Sequence, residues 1–89
     1  MRVRYSPESI DDLTRLRDFI KDKTPVAAQG IANELLDRIN KLKLFPKIGL
    51  PVMKAADPQS IRDLFIDNYT VRYLIGNNEI YILRMWHGK

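Results

Sequence analysis

Three β-rich runs stand almost back to back in the last third of the chain, and no other feature restricts the fold as much. Ile61–Ile66 reads Ile-Arg-Asp-Leu-Phe-Ile, Tyr69–Ile75 reads Tyr-Thr-Val-Arg-Tyr-Leu-Ile, and residues 79–86 read Glu-Ile-Tyr-Ile-Leu-Arg-Met-Trp. Asp67-Asn68 and Gly76-Asn77-Asn78 separate them, and these residue types accept the backbone angles of a tight reversal. Branched and aromatic runs closed by short turns predict an antiparallel meander.

Turn length decides which residues share a face. A two-residue first loop sets Ile66 opposite Tyr69, Leu64 opposite Val71 and Asp63 opposite Arg72. A three-residue second loop sets Ile75 opposite Glu79, Tyr73 opposite Tyr81 and Val71 opposite Leu83. One face then holds Leu64, Ile66, Tyr69, Val71, Tyr73, Ile75, Tyr81, Leu83 and Met85, and reads as the core. The other holds Ile61, Asp63, Phe65, Thr70, Arg72, Leu74, Ile80, Ile82, Arg84 and Trp86, an apolar surface with arginines set into it. Shifting the second loop by one residue would flip the last strand and bury Arg84 beside Val71. An unpaired guanidinium there is costly, so the three-residue loop is the expectation.

The 89 residues are read as one domain, 1–89. A chain of this size buries roughly 60–65% of its unfolded surface, enough for one core. Without cysteine there is no disulfide framework and no thiolate metal site, and a reducing cytoplasm is the simplest location. No apolar run is long enough for a membrane span, and no cofactor or metal motif is present. The formal charge of +4 is compatible with an acidic protein or a nucleic acid as partner, and equally with a merely soluble surface.

From the start, Arg2, Val3, Arg4 and Tyr5 alternate as a short edge strand does. Ser6-Pro7 is a helix start, with serine as cap and proline in the first turn, and predicts a helix over 7–22. Ile10, Leu13, Leu16, Phe19 and Ile20 form its apolar stripe. Thr24-Pro25 repeats the signal. Ala28, Ile31, Ala32, Leu35, Ile39 and Leu42 follow at helical spacing, and Leu36 widens the stripe. Gly30 inside this helix suggests a close approach to the first one. Residues 45–60, rich in proline, predict a loop pinned by Phe45, Ile48, Leu50 and Val52 packing inward. Lys41, Lys43, Lys47 and Lys54 gather around it, either a phosphate-contacting patch or a solvated face.

Strand, helical hairpin and meander, with the Tyr5-Ser6-Pro7 helix start, Ile61-Arg62, Tyr69-Thr70-Val71-Arg72-Tyr73 and the ending Arg84-Met85-Trp86-His87-Gly88, resemble the RelE/ParE superfamily of bacterial toxins. The paired long helices and that ending are most similar to the ParE branch. The resemblance implies an α+β fold, β-α-α-β-β-β, with the helical hairpin on one face of a mainly antiparallel sheet. It also implies a cytoplasmic toxin that inhibits DNA gyrase by protein–protein contact and is held in a hetero-oligomer by a cognate antitoxin. Operator DNA would be met only through the antitoxin, and membranes not at all.

Two alternatives stay open. In the RelE-like branch, a ribosome-dependent messenger endoribonuclease, cleavage needs cations on the phosphate and an acid and base for proton transfer. Here Arg72, Arg84 and Lys54 are the candidate cations, and His87 the candidate acid, since an imidazole exchanges its proton near neutrality. No base is evident, because Asp63 faces Arg72. The second alternative is an inactive homologue that only binds antitoxin. In every case the open face is the expected antitoxin site, formed by Arg62, Phe65, Arg72, Leu74, Ile80, Ile82, Arg84 and Trp86. Exposed apolar area ringed by arginine is what a partner covers.

Overall fold

The computed structural model describes residues 1–88. Strand β1 (Arg2–Tyr5) leads into helices α1 (Pro7–Lys23) and α2 (Pro25–Asn40), and a 3-10 turn (Lys41–Lys43) closes the helical half. Strands β2 (Leu50–Pro51), β3 (Ile61–Ile66), β4 (Tyr69–Ile75) and β5 (Glu79–His87) follow. The five strands form one sheet in the order β1-β5-β4-β3-β2. All pairings are antiparallel except β1 with β5, which is parallel. The α+β architecture and its meander are therefore as the sequence predicts, with β2 as a short additional edge strand inside the expected loop.

Local signals explain the helices. Ser6 accepts the Ser9 N–H at 3.0 Å and caps α1, and Pro7 occupies its first turn. Thr24 ends α1 by donating its N–H to the Ile20 carbonyl, and α2 begins at the next residue. The stripes differ in detail from expectation. On α1 the buried line is Ser9, Asp12 and Ile20, with Leu13 and Leu16 half-buried, while Ile10 and Phe19 are mostly exposed. The helix is rotated so that Ser9 and Asp12, not Ile10, meet the sheet. Gly30 lies on an exposed face where an added Cβ would touch nothing, so close helix packing is not its role.

The core joins Leu35, Ile39 and Leu42 to Leu64, Ile66, Val71, Tyr73, Ile80, Ile82 and Met85. The first turn has the expected register, with Ile66 opposite Tyr69 and Asp63 opposite Arg72, and Asp67 takes the left-handed conformation at φ 52°. The second does not. Ile75 faces Ile80, Leu74 faces Tyr81 and Tyr73 faces Ile82, one residue beyond the three-residue reading. Ile80 and Ile82 are consequently fully buried, and Tyr81 and Leu83 take their places on the open side.

A bulge between Ile82 and Arg84 then restores the alternation, since Arg72 faces Arg84 and Val71 faces Met85. Leu83 is the extra residue. The bulge satisfies two demands that a regular strand sets against each other. Ile80, Ile82 and Met85 all point into the core, and Arg84 does not.

The segment after the 3-10 turn also departs from expectation. Phe45, Ile48 and Leu50 point outward rather than inward, and Val52 is only partly covered. What pins this loop is polar. The Tyr73 hydroxyl accepts the Gly49 N–H at 3.0 Å and donates to the Pro46 carbonyl at 2.6 Å. A Cβ on Gly49 would stand 2.7 Å from that hydroxyl oxygen and 2.8 Å from the Asp63 carbonyl, so this position admits only glycine without rearrangement.

Candidate functional site

The open face of the sheet is built on one cross-strand row, Asp63, Arg72 and Arg84. Arg72 donates to both carboxylate oxygens of Asp63, at 2.8 and 3.0 Å. Its guanidinium carbon lies 5.2 Å from the Trp86 ring, within cation–π range. Hydrogen bonding to Asp63 raises the Arg72 pKa further, so this group is a fixed cation. The neighbouring row is Phe65, Thr70 and Trp86. Thr70 is buried between these larger side chains and donates its hydroxyl to the Gly88 carbonyl. Leu74 and Tyr81, opposite one another, extend the face toward the second turn, half-buried.

Arg84 is held differently. It donates to both oxygens of Asp12 on α1, at 2.8 and 3.0 Å, and the Met85 N–H donates to the same carboxylate at 2.9 Å. Asp12 is buried, and hydrogen bonding from Arg84 holds its carboxyl below the ordinary range, against the opposing effect of burial. This carboxylate stands where β1 has ended, and it closes the edge of β5. Ser6 assists one step earlier by donating its hydroxyl to the Leu83 carbonyl at 2.9 Å. Neither Ser6 nor Asp12 is conspicuous as a sheet ligand in the sequence. The available signal was a carboxylate in the α1 stripe, at a position that helical periodicity assigns to the buried side.

The remaining residues singled out in the sequence fall in three places. Arg62 is not part of the open face. It is only 6% exposed and donates to the carbonyls of Gln59, Lys47 and Gly49 and to the Gln59 side chain. Ile80 and Ile82 are in the core, displaced from the expected surface by the longer turn. Lys54 lies in the loop after β2, with no ion pair among the described residues.

His87 is exposed and meets the Tyr69 ring edge-on, 5.3 Å between centroids. Strand alternation after the bulge puts Met85 and His87 on the helical side of the sheet, and Arg84 and Trp86 on the other. At this edge the two faces meet: Arg84 reaches round to Asp12 on α1, and Asp12, Trp86 and His87 line one open depression. Among the described residues no group of three or more acidic, histidine or cysteine side chains is placed to hold a metal ion. No described helix is long and apolar enough to cross a membrane.

The fold is one that solved structures already contain. A chain titled "Chromosomal ParDE TA system from P. aeruginosa" superposes with a TM-score of 0.83 at 15% identity, covering 100% of this chain and 97% of that one. A curated protein of Caulobacter vibrioides, "Toxin RelE2", is 28% identical over 88 residues, 98% of this chain and 94% of the relative. The family model described as ParE toxin of type II toxin-antitoxin system, parDE, matches residues 3–89. The chain belongs to that family, within the RelE/ParE superfamily, and a cognate antitoxin is the partner this membership implies.

Proposed function

We propose that this toxin acts by protein–protein contact on DNA gyrase and is not an enzyme. The observation that carries this reading is that the candidate cations are already occupied. Arg72 and Arg84 are each engaged by a carboxylate of this chain through two hydrogen bonds. Phosphodiester cleavage needs free cations and a proton donor converging on one phosphate. The RelE name of the Caulobacter relative keeps the nuclease as the competing reading.

The two readings separate in one experiment on purified components. Contact poisoning predicts inhibition of gyrase supercoiling by the wild-type chain and by His87→Ala alike. Messenger cleavage on ribosomes by the wild type, lost by about 10²–10⁴-fold in His87→Ala, would establish the nuclease instead.

The antitoxin is assigned to the open face, with Tyr81 and Leu83 replacing Ile80 and Ile82, and with Arg62 removed. Phe65, Leu74 and Trp86 supply apolar area there, and Arg72 and Arg84, each paired with a carboxylate of this chain, give it a polar rim. Leu74→Glu is expected to weaken the toxin–antitoxin complex by about tenfold or more in calorimetry. Unchanged affinity would place the antitoxin elsewhere.

A further inference from the structure

Residues 44–53 turn their largest side chains away from the core. Leu44, Phe45, Ile48, Leu50 and Met53 are each between 59% and 78% exposed. Five such residues within ten positions make a concentrated apolar surface, of the kind that marks an interaction site. Phe45, Pro46, Lys47 and Ile48 line a shallow depression of about 380 Å³ within it. The backbone underneath is anchored by Tyr73 on Pro46 and Gly49 and by Arg62 on Lys47 and Gly49. The segment is thus a held surface, with its exposure fixed by buried polar groups.

Charge identifies what suits it. Residues 41–56 contain Lys41, Lys43, Lys47 and Lys54 and no acidic side chain. Among the described residues only Lys41 has an ion pair, with Asp37 at 3.6 Å. A second copy of the chain would bring like charges together, and a nucleic acid would answer the lysines but leave the apolar groups without partners. Strand addition is also disfavoured. The Val52 N–H bonds to Ile61 and Leu50 faces Asp63, so Pro51 occupies the outward position of β2 and has no N–H to offer. The partner is therefore engaged through side chains.

We propose that this patch is the surface by which the toxin grips its target protein, and that the target meets it with an apolar centre ringed by aspartate and glutamate. The proposal rests on the contact reading of the function. Leu50 stands in the same cross-strand row as Asp63, Arg72 and Arg84, so an antitoxin on the open face reaches the rim of the patch and can occlude it.

The test uses the full chain and purified gyrase, with supercoiling inhibition as readout. Phe45→Glu combined with Ile48→Glu is expected to raise the half-inhibitory concentration by about tenfold or more. Lys43→Glu combined with Lys47→Glu is expected to raise it several-fold, about three- to tenfold, and to flatten its salt dependence. Lys21→Glu combined with Lys23→Glu, on α1, is expected to change nothing. All these side chains are exposed, and unchanged unfolding midpoints confirm that the variants fold. A wild-type chain inert toward gyrase would refute the contact reading and this assignment together. Wild-type inhibition retained in both patch variants would overturn the assignment alone. So would loss of binding to phosphatidylglycerol vesicles with gyrase inhibition intact, which would give the patch to a membrane surface.

Discussion

Where β1 stops beside Ile82, the exposed edge of β5 is closed from above by a helix. Ser6 donates to the Leu83 carbonyl, and Asp12 accepts the Met85 N–H while holding Arg84. At the far side of the sheet, β2 is two residues long, and the chain around it is closed from beneath. There a buried guanidinium and a buried phenol collect loop backbone groups, Arg62 taking three carbonyls and Tyr73 one carbonyl and one N–H. Both edges satisfy backbone polar groups that burial would otherwise leave unpaired. They differ in what is left outside. The helix-closed edge buries Met85 beneath Asp12, whereas the loop-closed edge uses polar anchors inside and turns Phe45, Ile48 and Leu50 to solvent. A fold that secures a loop by its backbone leaves that loop's side chains available for a partner.

The contrast can be broken at the loop-closed edge first, where the largest effect is expected. Arg62→Ala leaves several buried carbonyls unpaired and is expected to cost about 3 kcal/mol or more. Tyr73→Phe, which removes one hydroxyl with two bonds, is expected to cost about 2 kcal/mol. Urea unfolding measures both. A loss under about 1 kcal/mol in Arg62→Ala would mean that the loop is held by something other than its backbone contacts.

The smaller effect is expected at the helix-closed edge. Asp12→Asn keeps an acceptor for Met85 but loses the charge that holds Arg84, and a cost of about 1 kcal/mol at neutral pH is expected. The pH dependence gives the sharper reading. The carboxyl is held low in the folded state, so it binds a proton more readily in the unfolded chain, where an aspartate titrates near about 3.9. Its contribution is therefore present in full above that value and lost as the pH falls through the lowered folded one. Wild type and Asp12→Asn should converge in stability in acid. A gap as wide at pH near ~3 as at neutrality would show that charge is not what closes this edge.

Much of this was legible beforehand because it depends on local rules. The Ser6-Pro7 start follows from capping and proline geometry, and the Thr24-Pro25 start from proline geometry alone, since Thr24 makes no side-chain cap. The three strands and the Asp67-Asn68 turn follow from alternation and turn chemistry. The second turn was not legible, for a reason that Arg84 illustrates. A uniform strand offered either Ile80 and Ile82 inside with Arg84 buried, or Arg84 outside with Tyr81 and Leu83 buried. The bulge at Leu83 takes the favourable half of each. Nothing within β5 marks that bulge, because it is supported from 77 residues away by the Ser6 hydroxyl.

By itself the sequence determined the class of fold, the helical hairpin and the face of β3 and β4 that forms the core. Those depend on hydrophobic period and turn chemistry, which are short-range. Tertiary structure alone decided that Arg62 is an internal anchor, that Arg84 belongs to Asp12, and that residues 44–53 look outward. Each of these is set by where a distant backbone group needs a partner. A guanidinium or a carboxylate reads the same in a sequence whether it will serve the surface or satisfy a carbonyl or an N–H that folding has taken out of water.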